Sequence, residues 1–318
     1  MKIAYIILAH KNSEQLTRLV KKINSTDTSF FIHIDKKTDK ETYKRMLESL
    51  SDFENVYFVK RFRSKWGQMG IVEGTLSGLR EILNRKLQFD YAILLSGQCY
   101  PIKSNHEIHA FLSQNMGYSF IDFQPITVDQ NQNRLERLIF WHYFLGKFHL
   151  VFPREKMFNH RVLDIIWRRF AKLLPFRRKL PLDYQPYWGY QWWGLNGECA
   201  KYVVNFLDTN PSFEKFFNRV WCPDEFFFQI LLLNSPCKDQ IINNCLTYVD
   251  FTKRKSHHPA ILGVQDFPKF MASDKLFARK FDPIQDSEVL DMIDEYLDGP
   301  KINKLSPLGD GNEDCIVA

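Results

Sequence analysis

The sequence predicts an α/β fold in which a mostly parallel, Rossmann-like sheet is flanked by helices on both faces. Through the first hundred residues, short apolar segments typical of buried strands alternate with segments of helical periodicity. Such alternation forms right-handed βαβ units and therefore a parallel sheet. With 318 residues and 45% apolar content, the chain can bury the large core that this fold needs.

Each predicted element follows from a local pattern. The first strand is IAYIIL, which ends before His10 and Lys11; no small-residue cleavage site follows, so a signal peptide is not expected. The first helix begins at Ser13, a favourable N-cap residue. The predicted strands are 3–8, 30–35, 55–59 and 90–96, and the predicted helices are 13–23, 40–50 and 70–83.

The sequence lacks the motifs of several common nucleotide-binding and metal-binding sites. The chain contains no G-x-G-x-x-G after the first strand and no G-x-x-x-x-G-K-[ST], which argues against dinucleotide oxidoreductases and P-loop enzymes. It also lacks the D-x-D motif with which many sugar-nucleotide enzymes hold a metal. None of the six cysteines forms C-x-x-C, and we expect reduced thiols in a cytoplasmic protein.

Polar residues follow the carboxyl ends of the predicted strands. In a parallel sheet, ligands bind at this edge. His10 and Asp35 close two strands, and each is either structural or a ligand; Asp35 could accept the imide N–H of a uracil ring. The loops SKWGQMG, with Trp66, and LSGQCYPIK, with Gly97–Tyr100, belong to the same edge.

Two acidic residues begin the segment PDEFFFQILLLNS, which we expect to form a buried helix over 223–235. One acid at a helix start is explained by the helix dipole. We assign Asp224 mainly to that role. The second, Glu225, exceeds what capping requires and is the candidate general base.

Aromatic and basic clusters complete the candidate site. The run PYWGYQWWGLN contains Trp188, Trp192 and Trp193, which either fill the core or present flat faces to a carbohydrate. In FARKFD, Arg279 and Lys280 are either solvated charges or a clamp for an anionic group.

Together these motifs resemble the core-2/I-branching glycosyltransferases (family 14), which include β-1,6-N-acetylglucosaminyltransferases and protein O-xylosyltransferases. The resemblance spans residues 3–282, and we expect a bacterial member. The motifs, in order, are IIxAH, IHID, SKWG, LSGQCYPIK, QWWGLN, PDEFFFQILLLNS and FARKFD.

The resemblance implies a GT-A fold and metal-independent, inverting transfer from a UDP-sugar to a glycan hydroxyl, with no cofactor. Glu225 would be the catalytic base, Asp35 would bind uracil, and Arg279 and Lys280 would bind the diphosphate. The other donor-binding residues would be Ala9, His10, Trp66 and Gly67, and the acceptor-binding residues Gln98, Cys99, Tyr100, Gln191, Trp192 and Trp193. The donor would carry a GlcNAc, xylose or galactose-type sugar. The acceptor stays open because Gln98-Cys99 and Gln191 depart from the family pattern, and the linkage stays open as well.

We expect one catalytic domain over 1–285, with a nucleotide-binding half (1–120) and an acceptor and catalytic half (121–285). A C-terminal helix and a loosely held tail would follow over 286–318. Alternatives are a non-catalytic carbohydrate-binding protein, which would use the tryptophan run, and a glycoside hydrolase, which would use Glu225.

A basic segment interrupts the second half. Val151–Leu180 contains nine basic and two acidic residues, an excess larger than the net charge of +6 of the chain. RVLDIIWRRFAKLL (161–174) would form an amphipathic helix, either docked on its own domain or lying on an anionic membrane. The second option predicts a cytoplasmic enzyme held peripherally on the inner face of the cell membrane through 154–180, with a lipid-linked acceptor. Nucleic acid is not an expected partner.

Overall fold

The main sheet has seven strands in the computed structural model, which describes residues 1–145, 148–152, 166, 178–252 and 259–299. Side by side, the strands are β12 (Ile241–Asn243), β6 (Ser119–Ile121), β11 (Trp193–Asn196), β4 (Tyr91–Ser96), β1 (Ile3–Ala9), β2 (Thr28–Ile34) and β3 (Val56–Phe58). Only β11 runs antiparallel to its neighbours among these strands. The predicted mostly parallel α/β fold is confirmed.

Short sheets and helices surround this sheet. The helices of the described residues are α1 (Ser13–Ile23), α2 (Lys40–Glu48), α3 (Gly70–Asn84), α4 (Asn105–Gln114), α5 (Val128–Ile139), α6 (Gly197–Thr209), α7 (Pro211–Phe217), α8 (Phe227–Leu233), α9 (Phe267–Met271) and α10 (Glu288–Asp298). The 3-10 turns are Pro181–Asp183, Pro223–Glu225, Lys238–Gln240 and Val264–Asp266. The minor strands are β5 (Tyr100–Pro101), β7 (Gln124–Pro125), β8 (Trp141–Leu145), β9 (Phe148–Phe152), β10 (Tyr187–Trp188), β13 (Thr247–Val249) and β14 (Phe277–Arg279).

Two hydrophobic cores lie on opposite faces of the sheet, because successive strand residues point to opposite sides. In β1, Tyr5 and Ile7 pack into the core shared with α1, α2, α4 and α10. Ala4 and Ile6 pack into the other core, which contains α3, α6 and α8. The second core positions the chain that carries Glu225, because α8 is buried there along its whole length.

The expected continuous helix over 223–235 is wrong. Pro223–Glu225 form a 3-10 turn, and α8 begins only at Phe227. The break is at Phe226, whose φ of −130° is not helical, and the turn is entered through Cys222 with a left-handed φ of 53°. The aromatic side chains of 226–228 are all buried, so core packing overrides the helical pattern of the sequence.

Three expectations lie wholly or largely outside the described residues. The amphipathic helix over 161–174 is one, and the loosely held tail from 300 onward is another. The third is the state of Cys315; the other five cysteines are buried free thiols. The expected division of the chain into halves stays a prediction.

Candidate active site

The ends of β1, β2 and β4 meet at one edge of the sheet. The Asp35 N–H donates to the carbonyl of Ala9, and the Gly97 N–H donates to the carbonyl of Leu8, both at 2.9 Å. These main-chain bonds bring Ala9, Asp35 and Gly97 together where parallel sheets bind ligands.

Asp35 is fixed at this edge by main-chain donors. Its Oδ1 accepts the N–H of Lys37 at 2.8 Å and that of Ser64 at 3.3 Å, and the residue is 7% exposed. Arg61 donates to the carbonyls of Ile34 and Asp35 at 3.0 and 2.8 Å. The carboxylate is therefore held in one orientation beside the SKWG loop.

His33 is a residue at this edge that the sequence did not single out. Its Nε2 accepts the N–H of Phe62 at 2.9 Å, and burial lowers its pKa to about 4. The imidazole is therefore neutral at physiological pH and acts as an acceptor that ties β2 to the loop before Trp66. A histidine inside an apolar strand is the sequence signal that could have indicated this role.

The segment after β14 closes over the same edge. Gln98 and Phe281 exchange two hydrogen bonds: the Phe281 N–H donates to the Gln98 carbonyl at 3.0 Å, and the Gln98 amide donates to the Phe281 carbonyl at 3.1 Å. Lys11 forms an ion pair with Asp282 at 2.6 Å. Gln98 therefore anchors the chain that carries Lys280, and its expected role as an acceptor ligand stays a prediction.

Lys280 and His10 lie near each other in this arrangement. His10 is exposed, and its pKa is lowered by partial desolvation and then by the charges of Lys11 and Lys280. The pKa of Lys280 is itself lowered, first by burial and then by the charge of Arg279. Positive charge is thus concentrated at the end of β1, as an anionic ligand would require.

Arg279 is more enclosed. Its guanidinium lies 4.3 Å from the ring centre of Trp192, and its Nε is buried without a hydrogen-bond partner in the described part of the chain. Burial lowers its pKa, while Cys99, Cys245 and Asp224 act in the opposite direction. A buried donor that lacks a partner is costly and calls for an explanation, of which a bound ligand is one.

Asp224 and Glu225 have different surroundings although they are adjacent. Burial, followed by the charge of Glu225, raises the pKa of Asp224 to about 7, and its Oδ1 is buried without a partner among the described residues. Neither the 3-10 turn nor α8 has a side-chain cap. The assignment of Asp224 to capping is therefore wrong.

Glu225 reaches toward solvent and pairs with an arginine. Its side chain is 35% exposed, and Oε2 accepts from Nη2 of Arg137 at 2.9 Å. Arg137 also donates to the Trp221 carbonyl at 3.3 Å and lies over the ring of Phe226 at 5.0 Å. Arg137 thus orients the carboxylate, and no sequence motif indicates this pairing because the partners are 88 positions apart.

Two glycines hold the Pro223–Glu225 turn in place. The Gly189 N–H donates to the Glu225 carbonyl at 2.9 Å, and a Cβ on Gly189 would lie 1.9 Å from the Asp122 carbonyl oxygen. The Gly67 carbonyl accepts the Cys222 N–H at 3.0 Å, and its φ of 72° favours glycine. Gly67 therefore connects the SKWG loop to the turn.

Several expected acceptor residues belong to the core instead. Cys99 and Tyr100 are fully buried, and the Tyr100 hydroxyl donates to Asp294 at 2.9 Å. Trp193 is 2% exposed in β11, and Trp192 is 5% exposed beneath Arg279. The expectation of flat aromatic faces open to a sugar is wrong for these two tryptophans.

The remaining expected site residues are more accessible. Gln191 is partly buried, whereas Trp66 is 57% exposed. The Trp66 ring contacts Trp221 edge-to-face, with 6.0 Å between the ring centres. Trp66 and Gly67 therefore lie beside the turn that carries Glu225.

Comparison with known proteins identifies the family. The profile of the core-2/I-branching enzymes matches residues 3–270. The chain belongs to this family. Similar curated proteins include xylosyltransferase 1 of Rattus norvegicus (25% identical, covering 94% of this chain and 36% of the relative) and xylosyltransferase oxt of Drosophila pseudoobscura pseudoobscura (26%, 94% and 34%). This core-2/I-branching chain thus spans about a third of the length of these relatives.

Among solved structures, a 4-diphosphocytidyl-2C-methyl-D-erythritol synthase from Anaerococcus prevotii matches with a TM-score of 0.31 and 11% identity. The match covers 69% of this chain and 83% of that one. No helix in the described ranges is both long and apolar enough to cross a bilayer. The same ranges contain no group of three or more His, Cys, Asp or Glu side chains placed to hold a metal ion.

Proposed function

We propose that this chain is an inverting glycosyltransferase of GT-A type that moves a sugar from a UDP-sugar to a hydroxyl of a glycan acceptor, without a metal. The observation that carries the proposal is the arrangement of charged groups at the Pro223–Glu225 turn and the end of β14. The Glu225 carboxylate is partly exposed and is oriented by an arginine. It adjoins Asp224, whose charge interacts with the charge of Arg279. Arg279 has a buried N–H donor without a partner among the described residues. Family membership and the similarity to xylosyltransferases support glycosyl transfer as the reaction class.

Glu225 would act as the general base. As the acceptor oxygen attacks C1 of the donor sugar, its proton passes to the Glu225 carboxylate, and the bond between C1 and the UDP oxygen breaks. A single displacement of this kind inverts the anomeric centre. General-base assistance is typically worth ~10²–10⁴-fold, and Arg137 would keep the carboxylate in line with the acceptor.

Arg279 and Lys280 would stabilise the charge that develops on the UDP leaving group. The Nε of Arg279 already lacks a partner, so a phosphate oxygen would satisfy a donor that the protein leaves unpaired. Asp35 would accept the uracil N–H at the other end of the donor, beside Ala9 and His10. With two fixed cations on the diphosphate, the reaction would need no divalent metal.

The acceptor side would lie near Trp66 and Gln191, the more accessible members of the predicted set. We propose a glycan acceptor, lipid-linked if the enzyme builds surface polysaccharide at the inner face of the cell membrane. The cytoplasmic location, the peripheral contact through 154–180 and the bacterial origin stay predictions. A purely sugar-binding role is less favoured, because Trp192 and Trp193 are buried.

Incubation with UDP-xylose, UDP-GlcNAc and UDP-galactose tests the proposal, with UDP release and product linkage as readouts. We expect acceptor-dependent UDP release from one of these donors, and xylose is the first to test because the relatives are named xylosyltransferases. Absence of UDP binding by calorimetry would refute the donor assignment. Hydrolysis of a glycan without any nucleotide sugar would instead indicate a hydrolase.

A further inference from the structure

The hairpin of β8 and β9 has two faces of different character. It forms a two-stranded sheet of its own, with Trp141 opposite Phe152 and Tyr143 opposite Leu150. Because side chains alternate along a strand, Trp141, Tyr143, Phe148 and Leu150 share the outer face, and His142 and His149 lie on the inner one.

The inner face packs against the turn that leads to Glu225. His142 is 2% exposed and lies 3.0 Å from His149 through their ring nitrogens. The ring centre of His149 is 5.3 Å from that of Trp221, and the His142 N–H donates to the Arg219 carbonyl at 3.2 Å. The hairpin is therefore docked on the body of the protein through this face, beside the candidate active site.

The outer face is apolar and open to solvent. The exposed fractions are 74% for Phe148, 52% for Leu150, 38% for Tyr143 and 36% for Trp141. The Trp141 and Tyr143 rings are nearly parallel, with centres 6.4 Å apart. Four large side chains on one small sheet form a contiguous patch, and such patches mark interaction sites.

Basic side chains border this patch. The guanidinium of Arg219, an exposed residue, lies 4.8 Å from the ring centre of Tyr143. That of Arg178 lies 5.0 Å from the ring centre of Trp141. Tryptophan and tyrosine with adjacent arginine are the residues that favour the interface of an anionic membrane.

We propose that the outer face of this hairpin inserts into the interface of an anionic lipid membrane and thereby holds the candidate active site at the membrane surface. The aromatic and aliphatic side chains would enter the acyl boundary, while Arg219 would remain at the headgroups. A carbohydrate is a poorer occupant, because the two most exposed members, Phe148 and Leu150, offer it no polar group. The inference concerns a surface outside the donor and base sites and does not depend on the reaction.

Vesicle sedimentation of the full chain tests the proposal, with phosphatidylcholine vesicles that contain or lack phosphatidylglycerol. We expect the wild type to sediment with the anionic vesicles, and Phe148→Ser with Leu150→Ser to weaken this binding by roughly tenfold or more, because two apolar side chains are removed from the lipid. The matched control is Ile284→Ser: Ile284 is 83% exposed but lies outside the hairpin, so binding should not change.

Further measurements separate the other outcomes. Arg219→Gln should weaken binding to anionic vesicles and leave the weaker binding to neutral vesicles unchanged. Circular dichroism would detect a double variant that fails to fold, and Arg219→Gln would then test the proposal in its place. Binding of the folded double variant at the wild-type level would overturn the proposal, as would an equal loss in Ile284→Ser. Lipid-free dimerisation that the double variant abolishes would show instead that the patch joins two copies of the chain.

Discussion

Asp224→Asn is expected to flatten the dependence of stability on pH between about pH 4 and pH 7. Burial raises the pKa of Asp224 from its ordinary 3.8 to about 7. Over this interval the unfolded chain gives up the proton while the native state retains it. The native state therefore binds more protons, and the free energy of unfolding of the wild type falls as pH rises. Asparagine does not titrate, so the variant lacks this contribution.

The magnitude follows from the two pKa values. Relative to the native state, ionisation of this group stabilises the unfolded chain by only ~1 kcal/mol at about pH 4.5 and by ~4 kcal/mol at about pH 7.5. The native pKa of about 7 already includes the lowering effect of the nearby charges of Arg137 and Arg279. The stability of Asp224→Asn relative to the wild type should therefore rise by ~3 kcal/mol between these two pH values.

Urea unfolding of both proteins at three pH values measures this difference, and other titrating groups cancel in the comparison. Asp39→Asn provides a control of opposite sign, because the hydrogen bond from the Thr42 N–H lowers the pKa of Asp39, an N-cap residue. The ionised Asp39 stabilises the native state above the unfolded pKa, and this stabilisation is lost as pH falls. Asp39→Asn should therefore lower the free energy of unfolding more at neutral than at acidic pH. Parallel wild-type and Asp224→Asn stability curves would refute the reasoning.

Three further predictions concern catalysis. Glu225→Gln should abolish transfer while UDP-sugar affinity stays within a few-fold, since the amide keeps the shape and loses the basicity; steady-state kinetics with more than roughly a tenth of wild-type turnover would remove Glu225 from the role of base. EDTA should leave activity intact, whereas Arg279→Ala and Lys280→Ala should each lower turnover by ~10²–10³-fold; loss with EDTA and rescue by Mn²⁺ would contradict metal-independent transfer. Gly189→Ala should cost ~1–3 kcal/mol of stability and lower turnover, because its Cβ would lie 1.9 Å from the Asp122 carbonyl oxygen; wild-type melting temperature and kinetics would show that the turn tolerates the added methyl group.

The parallel part of the sheet could be predicted because it depends on local periodicity. The strand patterns at 3–8 and 90–96 match β1 and β4, and helical spacing over 13–23 matches α1. The break between the Pro223–Glu225 turn and α8 could not be predicted, because it follows from backbone angles at Cys222 and Phe226 that burial imposes. The apolar pattern of this segment predicts one continuous helix whether or not tertiary packing interrupts that helix.

The candidate site also has some residues that the sequence could predict and others that it could not. Motifs directed attention to Asp35, Glu225 and Arg279, and the structure places each at the carboxyl edge or at the adjoining turn. Arg137 could not be found in this way, because its relation to Glu225 exists only after folding. The burial of Trp193 also depends on distant strands: β11 is enclosed between β4 and β6, so a glycine-flanked aromatic run became an internal strand instead of an open loop.

Hydrogen bonds to main-chain groups, more than the reactive side chains themselves, set the positions of the candidate catalytic groups. The turn with Glu225 is held through the Gly67 carbonyl and the Gly189 N–H, and the segment with Lys280 is held by the bonds between Gln98 and Phe281. Removing the carboxylate of Glu225 or the amine of Lys280 breaks none of these bonds. Substitutions at these two side chains should therefore report on chemistry, whereas substitutions at the two glycines should report on placement, and the two sets can be separated by comparing turnover with stability.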